Sequence, residues 1–532
     1  MSNPAGHGLA REARVRRHHG RATGGGSGSS ILRTVLTALL AAGCGGSPTQ
    51  DQGPVDQGAV DQSIECTGPD SDGDGVLDSC DLCPNFDDST DADGDGAPDE
   101  CDCAPSDPSI FPGAEEICDG VDNDCSEVVD DAAVACPIVC PDGFLDWDRD
   151  GVDCEVEGEV LYVVGGVVGG SGLSWDSPIG TPDVALEVTV GGGAPRYQIW
   201  IQSGVYHPRF RQDPSEDVTR TLVLRHNVQL IGGFRGTERS VVTASGSSPT
   251  VLDGEDQVNT VVRLSSGTAE LVNLVVRRGG APFDTSIING GGILVESGAT
   301  LLLDRVTIRE SYAAQGAGVA VLNATVRARH LTIAENRGEA GVAIYQDGEN
   351  AVFECDQCAV ARNDGVSTGA AGLFANGTVV FRNSIFVRNR ASVSCLGCGT
   401  GGLEVLGAAV ELEHCTLVGM QGHRGDPDDP TVYGSAVDVS AGSVVLRNSL
   451  VFGNEDAGLS NGVTLLGTAV EGTESECNPG FLGVTNVEQL RLPSTSNCVD
   501  TGDPSVDVGP VDYFGNPRVT GDAPDVGASE AP

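Results

Sequence analysis

The chain has 532 residues, 75 of them glycine, with 4% aromatic residues and a formal net charge of −47 at pH 7. A chain of this length is too long to fold around one ordinary hydrophobic core. The absence of a G-X-Y period excludes collagen. The charge argues against nucleic acid as a partner, because its phosphate backbone would be repelled, and it fits an exposed protein that carries divalent cations.

Residues 1–44 have the layout of an export signal. A basic cluster precedes an apolar stretch, Ile31 to Ala42, that is too short to span a membrane permanently. The run Ala42-Gly43-Cys44 resembles a bacterial lipobox, which implies a lipid on Cys44 and a membrane anchor. The alternative is a soluble secreted protein in which Cys44 is incidental. Residues 45–65 have almost nothing to bury and are predicted to be a disordered tether.

Residues 66–157 form a module rich in cysteine and aspartate. It contains ten of the 18 cysteines, and thiols oxidise in an exported protein. The disulfide candidates, with their connectivity left open by spacing alone, are Cys66, Cys80, Cys83, Cys101, Cys103, Cys118, Cys125, Cys136, Cys140 and Cys154.

Two loops in this module, DSDGDGVLDSCD and DADGDGAPDECD, place carboxylates at alternate positions before a glycine. Such spacing wraps a hard cation in oxygen ligands, and calcium is the expected ion. The candidate ligands are Asp70, Asp72, Asp74, Asp78 and Asp81 in the first loop, and Asp91, Asp93, Asp95, Asp99 and Asp102 in the second. The pattern resembles a thrombospondin type 3 repeat, from which the crowded Cys101-Asp102-Cys103 departs.

The following stretch, PGAEEICDGVDNDC, is similar to a short metal-binding motif of exported bacterial proteins. The resemblance implies Asp119, Asp122 and Asp124 as ligands and a disulfide between Cys118 and Cys125. A third loop offers Asp146, Asp148 and Asp150, with Glu157 at its twelfth position. One alternative is an acidic linker that binds cations loosely. Zinc is less favoured, because Cys80-x-x-Cys83 has carboxylates and no histidine near it.

Residues 158–240 are predicted to form an N-terminal cap and first coil. The series LYVVGG, SWDSPIGTPDVAL, QIWIQSGVYHP and IGGFRGTE resembles the first coil of exported bacterial β-helix proteins. A solenoid needs its first coil covered, so Trp175, Trp200, Tyr206 and Phe234 are expected to be capping core, the alternative being a ligand platform.

The segment 241–476 repeats one phrase. Copies begin every 25 to 34 residues, at Leu271, Leu303, Ala328, Cys355, Phe381, Leu412 and Leu446. Their polar corner residues are Asn273, Arg305, His330, Gln357, Asn383, His414 and Asn448, and several copies end on asparagine: Asn336, Asn363, Asn389 and Asn454. A fixed period means stacked units. With β-prone phrases and no helical period, we predict a right-handed single-stranded parallel β-helix, pectate-lyase-like, whose stacked polar residues satisfy one another's amides.

Residues 477–532 end on DYFGNPRVTGDAPDVGASEAP. With NCVDTGDP, this end resembles the "choice-of-anchor Q" domain, a resemblance that covers roughly residues 159–532. We expect a C-terminal cap that seals the last open edge, with the lipid at the other end of the chain serving as anchor.

Cysteines within the repeats allow two interpretations. Cys355-x-x-Cys358 looks like half a metal site, but both residues occupy slots that hold apolar residues in other copies, so we expect buried apolar cysteines. Cys415 shares the column of Cys358 two rungs away, at about 4.8 Å per rung, which is beyond disulfide reach. Cys395 and Cys398 are expected in a loop, bridged to each other or to a neighbour.

Catalysis is not favoured by the sequence. Many proteins of this fold cleave acidic polysaccharides, but the polygalacturonase-like residue set is absent and the chain has no lysine for a lyase base. A calcium-dependent lyase that uses Arg309, Arg362 or Arg388 is left open, although an arginine column in solvent explains the spacing of Arg278, Arg362 and Arg388. His330 and His414 are expected to be structural.

These features lead us to expect a lipid-anchored, calcium-binding protein of the outer membrane or cell surface. Its β-helix would have a structural or adhesive role towards a glycan or a surface protein. The alternatives are a polysaccharide lyase or glycoside hydrolase, and a passive surface-layer component.

Overall fold

The computed structural model describes residues 90–99, 101–114, 124–126, 139–141, 143–149, 154–191, 193–209, 221–241, 248–280, 289–391, 399–422, 436–454, 458–473, 477–506 and 509–532. All of them belong to one compact unit, Pro69–Pro532. Four parallel sheets dominate it, and each coil of the chain adds one strand to each of several sheets.

The two longest sheets contain 11 and 10 strands. Sheet 1 contains Glu159–Val163, Tyr197–Gln202, Val228–Phe234, Thr268–Val272, Thr300–Asp304, Thr325–Arg329, Val352–Asp356, Thr378–Arg382, Ala409–Glu413, Ser443–Arg447 and Val463–Leu466. Sheet 2 contains Gly204–Tyr206, Thr250–Asp253, Leu274–Arg277, Thr307–Arg309, Thr332–Ala334, Ala359–Ala361, Ile385–Val387, Thr416–Val418, Leu450–Phe452 and Ala469–Val470.

Two shorter parallel sheets complete the coils. Sheet 3 contains Leu222–Val223, Val262–Leu264, Ile293–Glu296, Val319–Leu322, Ile344–Asp347, Gly372–Phe374, Leu403–Val405 and Val437–Val439, and sheet 4 contains Tyr312–Gln315, Arg337–Ala340, Asp364–Gly365 and Arg390–Ala391. Outside them lie an antiparallel pair, Phe144–Leu145 with Val156–Glu157, an α-helix, Pro182–Gly191, and a 3-10 helix, Val487–Leu490. Among the described residues, no helix combines the length and apolar character needed to cross a membrane.

Sheet 1 pairs the recurring phrases in the register that their alignment predicts. Leu271 lies opposite Leu303, and the column continues through Ala328, Cys355, Phe381, Leu412 and Leu446. Because side chains alternate across a strand, every second residue of each strand enters the coil, where this column joins the main apolar core. The prediction of a right-handed parallel β-helix is confirmed.

One left-handed residue makes the turn from sheet 1 to sheet 2 in each repeat. All the polar corner residues have a positive φ, from 44° at Asn448 to 53° at Asn273. A β-branched side chain is strongly disfavoured there, whereas asparagine and histidine tolerate this region. The backbone of the corner therefore accounts for the recurring polar residue.

The amide ladder forms mainly at a different corner from the one we expected, although the corner residues Asn448 and His414 also contact each other at 3.2 Å. Asn336 donates its backbone and side-chain N–H groups to Asn363 Oδ1 at 3.1 and 3.0 Å, and Asn363 does the same to Asn389 at 3.0 and 2.9 Å. These three residues are at most 1% exposed. Rung-to-rung amide bonding is thus made by the asparagines that end each phrase, at the exit of sheet 2.

The N-terminal aromatic residues divide between two cores. Tyr206 enters the interior of the coil, together with Ala185 and Leu186 of the α-helix. Trp200 and Phe234 instead pack with their rings 4.8 Å apart in a separate cluster on the outer face of sheet 1. These residues are core, as expected, but the cluster lies on the flank of the first coils.

The C-terminal segment lies along sheet 2, contrary to our expectation that it seals the last edge. Ile385, Val387 and Val418, which point outward from sheet 2, pack against Leu490 and Ala528. The last strand of sheet 1, Val463–Leu466, is half-buried to exposed. In these repeats both faces of sheet 2 are apolar. Burying the outer face under the C-terminal segment is therefore favourable.

One disulfide within the β-helix differs from the sequence expectation, and another lies in the C-terminal segment. Cys355 and Cys358 are buried, as expected, but they are bonded to each other because the left-handed corner at Gln357 brings their Cα atoms to 6.0 Å. In the C-terminal segment, Cys477 is bonded to Cys498. Cys415 is a buried free thiol, and burial raises its pKa to about 12.

Candidate functional site

Three carboxylates of the second aspartate loop converge on one point. Asp91, Asp93 and Asp95 each offer an oxygen within 4.8 Å of the others. Gly94 and Gly96 have φ values of 85° and 99°, which the tight turn between the aspartates requires. The loop is closed by its own amides, since Asp91 accepts hydrogen bonds from Gly94 N at 2.7 Å and Gly96 N at 3.1 Å.

The second loop is suited to a cation. Asp93 Oδ2 and Asp95 Oδ2 are buried oxygens that accept no hydrogen bond. Partial burial, followed by the charge of Asp95, raises the pKa of Asp93. Uncompensated buried carboxylate oxygens are costly unless a positive charge neutralises them, so these residues can hold a metal ion.

The remaining predicted ligands of this region do not belong to that group of three. Asp99 Oδ1 accepts from Ala92 N at 2.7 Å, Asp102 Oδ1 from Ala104 N at 2.8 Å, and Asp124 Oδ1 from Ser126 N at 3.0 Å. Asp102 also lies beside Cys103 and Cys125. Those two sulfurs form a disulfide and are not thiolate ligands, so the predicted Cys118–Cys125 pairing is wrong.

The third loop brings together Asp146, Asp148 and Glu155. Glu155 accepts from the backbone N–H of Trp147 at 2.9 Å and of Asp148 at 3.1 Å. Burial alone would raise the pKa of Glu155, but these hydrogen bonds lower it. The carboxylate that closes the loop is therefore Glu155, and the predicted Glu157 instead pairs with Phe144 in a strand. Cys140 and Cys154, both disulfide candidates, are bonded across this loop.

Several predicted residues lie outside the described part of the chain. They are Cys44, Cys66, Asp70, Asp72, Asp74, Asp78, Cys80, Asp81, Cys83, Cys118, Asp119, Asp122, Cys136, Asp150, Cys395 and Cys398.

The third loop is docked on the outer face of sheet 1. Gln198 Nε2 donates to the carbonyl of Asp146 at 2.7 Å, and Gln229 Nε2 donates to that of Trp147 at 2.9 Å. Arg149, with its side chain 9% exposed, reaches Glu270 Oε1 at 2.7 Å. The third loop is thus fixed directly to the first coils.

Beyond this contact, the outer face of sheet 1 carries a column of alternating charge. In successive strands the column reads Asp304, Arg329, Asp356, Arg382, Glu413 and Arg447. Arg329 pairs with Asp304 at 3.1 Å, and Arg382 pairs with Glu413 at 2.8 Å. Burial alone would raise the pKa of Asp304, but its hydrogen bonds with His330 and Arg329 hold that pKa below its ordinary value. These charges neutralise one another, so the carboxylates of this column are unsuited to general acid or base chemistry.

One pair of carboxylates on adjacent rungs is not neutralised by arginine in this way. Glu404 lies opposite Asp438 on the outer face of sheet 3, and each is 8% exposed. Glu404 also accepts from Thr368 Oγ1 at 2.5 Å. Burial, followed by the charge of Asp438, raises the pKa of Glu404. The pair has the proximity that acid–base catalysis uses, but it is buried.

Three of the arginines considered in the sequence form ion pairs with carboxylates. Arg278 pairs with Asp253 at 2.6 Å, Arg362 with Glu335 at 2.7 Å, and Arg309 with its neighbour Glu310.

His414 is buried and lies 3.2 Å from Asn448 Nδ2, and burial lowers its pKa to about 3. His414 is therefore a neutral structural residue.

Two family models match parts of this chain. The one described as "Right handed beta helix region" matches residues 265–473, and the one described as "Putative metal-binding motif" matches residues 102–131. This chain has a right-handed β-helix fold and a segment that matches a metal-binding motif model. No curated protein sequence matches it.

Solved structures with a similar fold are remote from this β-helix protein. Pectate lyase Pel9A is 13% identical, with a TM-score of 0.46, over 71% of this chain and 98% of its own. The pectin methylesterase from Aspergillus niger is 13% identical, with a TM-score of 0.33, over 63% of this chain and 96% of its own. A pectate lyase from Bacillus sp. N165, in complex with trigalacturonate, has the same identity and TM-score over 63% and 90%. Similarity this low carries no argument about activity.

Sequence reasoning missed the docking residues Arg149, Gln198 and Gln229. A usable signal was present, since each glutamine interrupts an apolar strand at the same register position, in YQIWI and VQLIG. A polar residue at such a position needs a partner, but the sequence does not say which.

Proposed function

We propose that this protein is a lipid-anchored, calcium-binding protein of the cell surface that presents its β-helix to a glycan or a protein partner in a structural or adhesive role. The lipobox-like Ala42-Gly43-Cys44 supports the anchor and export. The thrombospondin type 3-like loops and the "choice-of-anchor Q" resemblance support an exported modular protein of the bacterial outer membrane or cell surface.

The arrangement of Asp91, Asp93 and Asp95 is the observation that carries the proposal. Its donors are carboxylate oxygens around a glycine turn, which hard cations such as Ca²⁺ prefer. Zinc and copper favour sulfur and imidazole, and the neighbouring Cys103 and Cys125 sulfurs are held in a disulfide. Bound calcium would stabilise the folded module because it binds the folded loop better than the unfolded chain.

Substituting two ligands of the loop tests the calcium assignment. We expect Asp93→Asn with Asp95→Asn to remove one Ca²⁺ per chain from the stoichiometry measured by calorimetry on the full-length protein. The matched control is Asp256→Asn with Asp522→Asn, which makes the same charge change at exposed positions and should leave the stoichiometry intact. Unchanged stoichiometry in the ligand variant, or tighter binding of Zn²⁺ or Cu²⁺ than of Ca²⁺, would contradict calcium.

Support for the adhesive role comes from the outer face of sheet 1. Its paired charges can contact a ligand but are unsuited to acid–base catalysis. A glycan array and a polysaccharide-cleavage screen of the full-length protein, with Ca²⁺ and with chelator, test it together. Binding without cleavage is the expected result. No binding to any glycan or surface protein would leave the passive surface-layer alternative.

Glu404 and Asp438 support the second candidate, a polysaccharide lyase or glycoside hydrolase. Carboxylates on neighbouring strands can divide the acid and base roles when one has a raised pKa. New reducing ends or unsaturated products in the same screen, abolished by Asp438→Asn, would establish catalysis and overturn the adhesive role.

A further inference from the structure

A cavity of about 750 Å³ lies between the acidic module and the first coils. One wall is the antiparallel pair that includes Phe144–Leu145, and the opposite wall is the outer face of sheet 1 with the loops around Trp175 and Glu238. Its volume is within the range of small-molecule sites. It is separate from the cluster of Asp91, Asp93 and Asp95.

Aromatic rings form much of the sheet wall. Tyr162 packs edge-to-face on Trp175 with ring centroids 4.8 Å apart, and on Trp200 with centroids 5.5 Å apart. Tyr162 and Trp175 are half-buried, so part of each ring is open to the cavity. Both indole N–H groups are engaged, that of Trp175 by the carbonyl of Glu238 and that of Trp200 by Gln198 Oε1. Trp175, together with Tyr162, therefore offers π surface to a ligand, and neither indole offers a hydrogen-bond donor.

The charge of the wall is negative. It includes Asp146, Glu159, Asp176 and Glu238, against the exposed Arg239. Glu238 is occupied by three backbone N–H groups of its own loop, at 2.6 to 3.0 Å. The carboxylate of Asp176, the neighbour of Trp175 in the chain, is exposed and has no hydrogen bond or ion pair within the described ranges. This carboxylate is thus available as an acceptor in the wall that carries the exposed rings.

We propose that this cavity binds an organic cation through an alkylammonium group. A cation with apolar substituents gains from ring faces and from carboxylates at once, which neither an anion nor a neutral apolar molecule does. The two indole N–H groups, which could donate to a sugar, are already engaged within the protein. The site requires neither the lipid anchor nor a glycan partner.

Tryptophan fluorescence reports on this cavity directly. The chain has three tryptophans, of which Trp175 and Trp200 line the cavity and Trp147 follows the lining residue Asp146. The full-length protein is titrated with choline and, in parallel, with its neutral isostere 3,3-dimethylbutanol, at constant ionic strength. We expect a saturable change with choline, and affinity at least about tenfold weaker for the isostere.

Variants separate this site from general attraction to an acidic chain. Asp176→Asn should weaken choline binding by at least about tenfold, whereas Glu157→Gln, at an exposed carboxylate outside the cavity, should not. Equal response to choline and the isostere would overturn the proposal, as would a response that does not saturate or one that the Asp176 variant leaves unchanged. Saturable binding of a monosaccharide in place of choline would also overturn it.

Discussion

Asn363 connects three successive coils through a single side chain. Its amide donates to Asn389 Oδ1 and to the carbonyls of Ile333 and Ala361, while its oxygen accepts from Asn336. The residue is 1% exposed. Because water cannot replace these bonds in the folded state, the ladder favours asparagine over an apolar residue of similar size.

Replacing Asn363 with alanine should therefore destabilise the β-helix. We expect Asn363→Ala to lower the free energy of unfolding by about 3 kcal/mol, since buried donors and carbonyls lose their partners. Asn376→Ala, at an exposed asparagine, should change it by less than about 0.5 kcal/mol. Urea unfolding followed by circular dichroism measures both, and equal midpoints for the two variants would show that the ladder contributes nothing.

Glu530 is a buried carboxyl in the C-terminal segment, 3.8 Å from Arg518. Burial, followed by the charge of Asp525, raises its pKa to about 7 from the ordinary 4.5. A carboxyl with a raised pKa favours folding in its protonated form. That contribution is complete below about pH 4.5 and is lost as the pH rises towards 7. Buried His414, whose pKa is lowered, acts in the opposite direction as the pH falls below its ordinary value of 6.5.

Comparison of Glu530→Gln with the natural protein isolates the carboxyl from the histidine. Glutamine stays neutral, so we expect the variant to gain thermal stability over the natural protein at about pH 8 and to gain little at about pH 5. Differential scanning calorimetry at both pH values measures the difference. A difference that does not grow with pH would mean that Glu530 titrates at its ordinary pKa.

At the scale of elements, the third aspartate loop and the C-terminal segment both pack on outer faces of the β-helix. The loop uses polar contacts to sheet 1, through Arg149 and the two glutamines. The C-terminal segment uses apolar contacts to sheet 2, through Leu490 and Ala528. At both places the sheet is buried on its two faces. A sheet with one exposed face would instead show alternating buried and exposed residues along each strand.

Removing the charge of Arg149 should release the loop. Arg149→Met leaves Glu270 without its arginine partner, while Asp304 keeps Arg329, and this loss should weaken docking by about 2–3 kcal/mol. We expect faster amide hydrogen exchange in residues 143–149, while exchange in the middle coils stays unchanged. Arg235→Met, at an exposed arginine, is the matched control. Exchange at the natural rate in the Arg149 variant would show that the glutamine contacts suffice.

At the scale of the whole molecule, acidic residues dominate, 77 against 30 basic ones. The described arginines largely form ion pairs with carboxylates, as in the alternating column of sheet 1. The surplus carboxylates repel one another, which destabilises a compact fold and favours bound cations.

Salt should therefore stabilise the protein. Raising NaCl from about 20 mM to about 0.3 M shortens the Debye length and screens this repulsion over the whole surface. The same screening weakens each exposed ion pair by at most about 1 kcal/mol. We expect the relief of repulsion to outweigh this loss, so the melting temperature should rise. A calorimetric scan without Ca²⁺ makes the measurement, and a falling melting temperature would show that the paired columns outweigh the repulsion.

The sequence by itself determined the β-helix, its register and its corners. These depend on a local period, and the spacing of Leu271, Leu303 and Phe381 is enough to align them because stacked coils repeat the same environment. It also pointed to the loop of Asp91, Asp93 and Asp95, whose ligands are close in the chain. Only the tertiary structure decided the Cys103–Cys125 pairing, the place of the C-terminal segment and the cavity beside Trp175. Each of these joins residues from segments with no shared period, so their contacts depend on how surfaces pack in space.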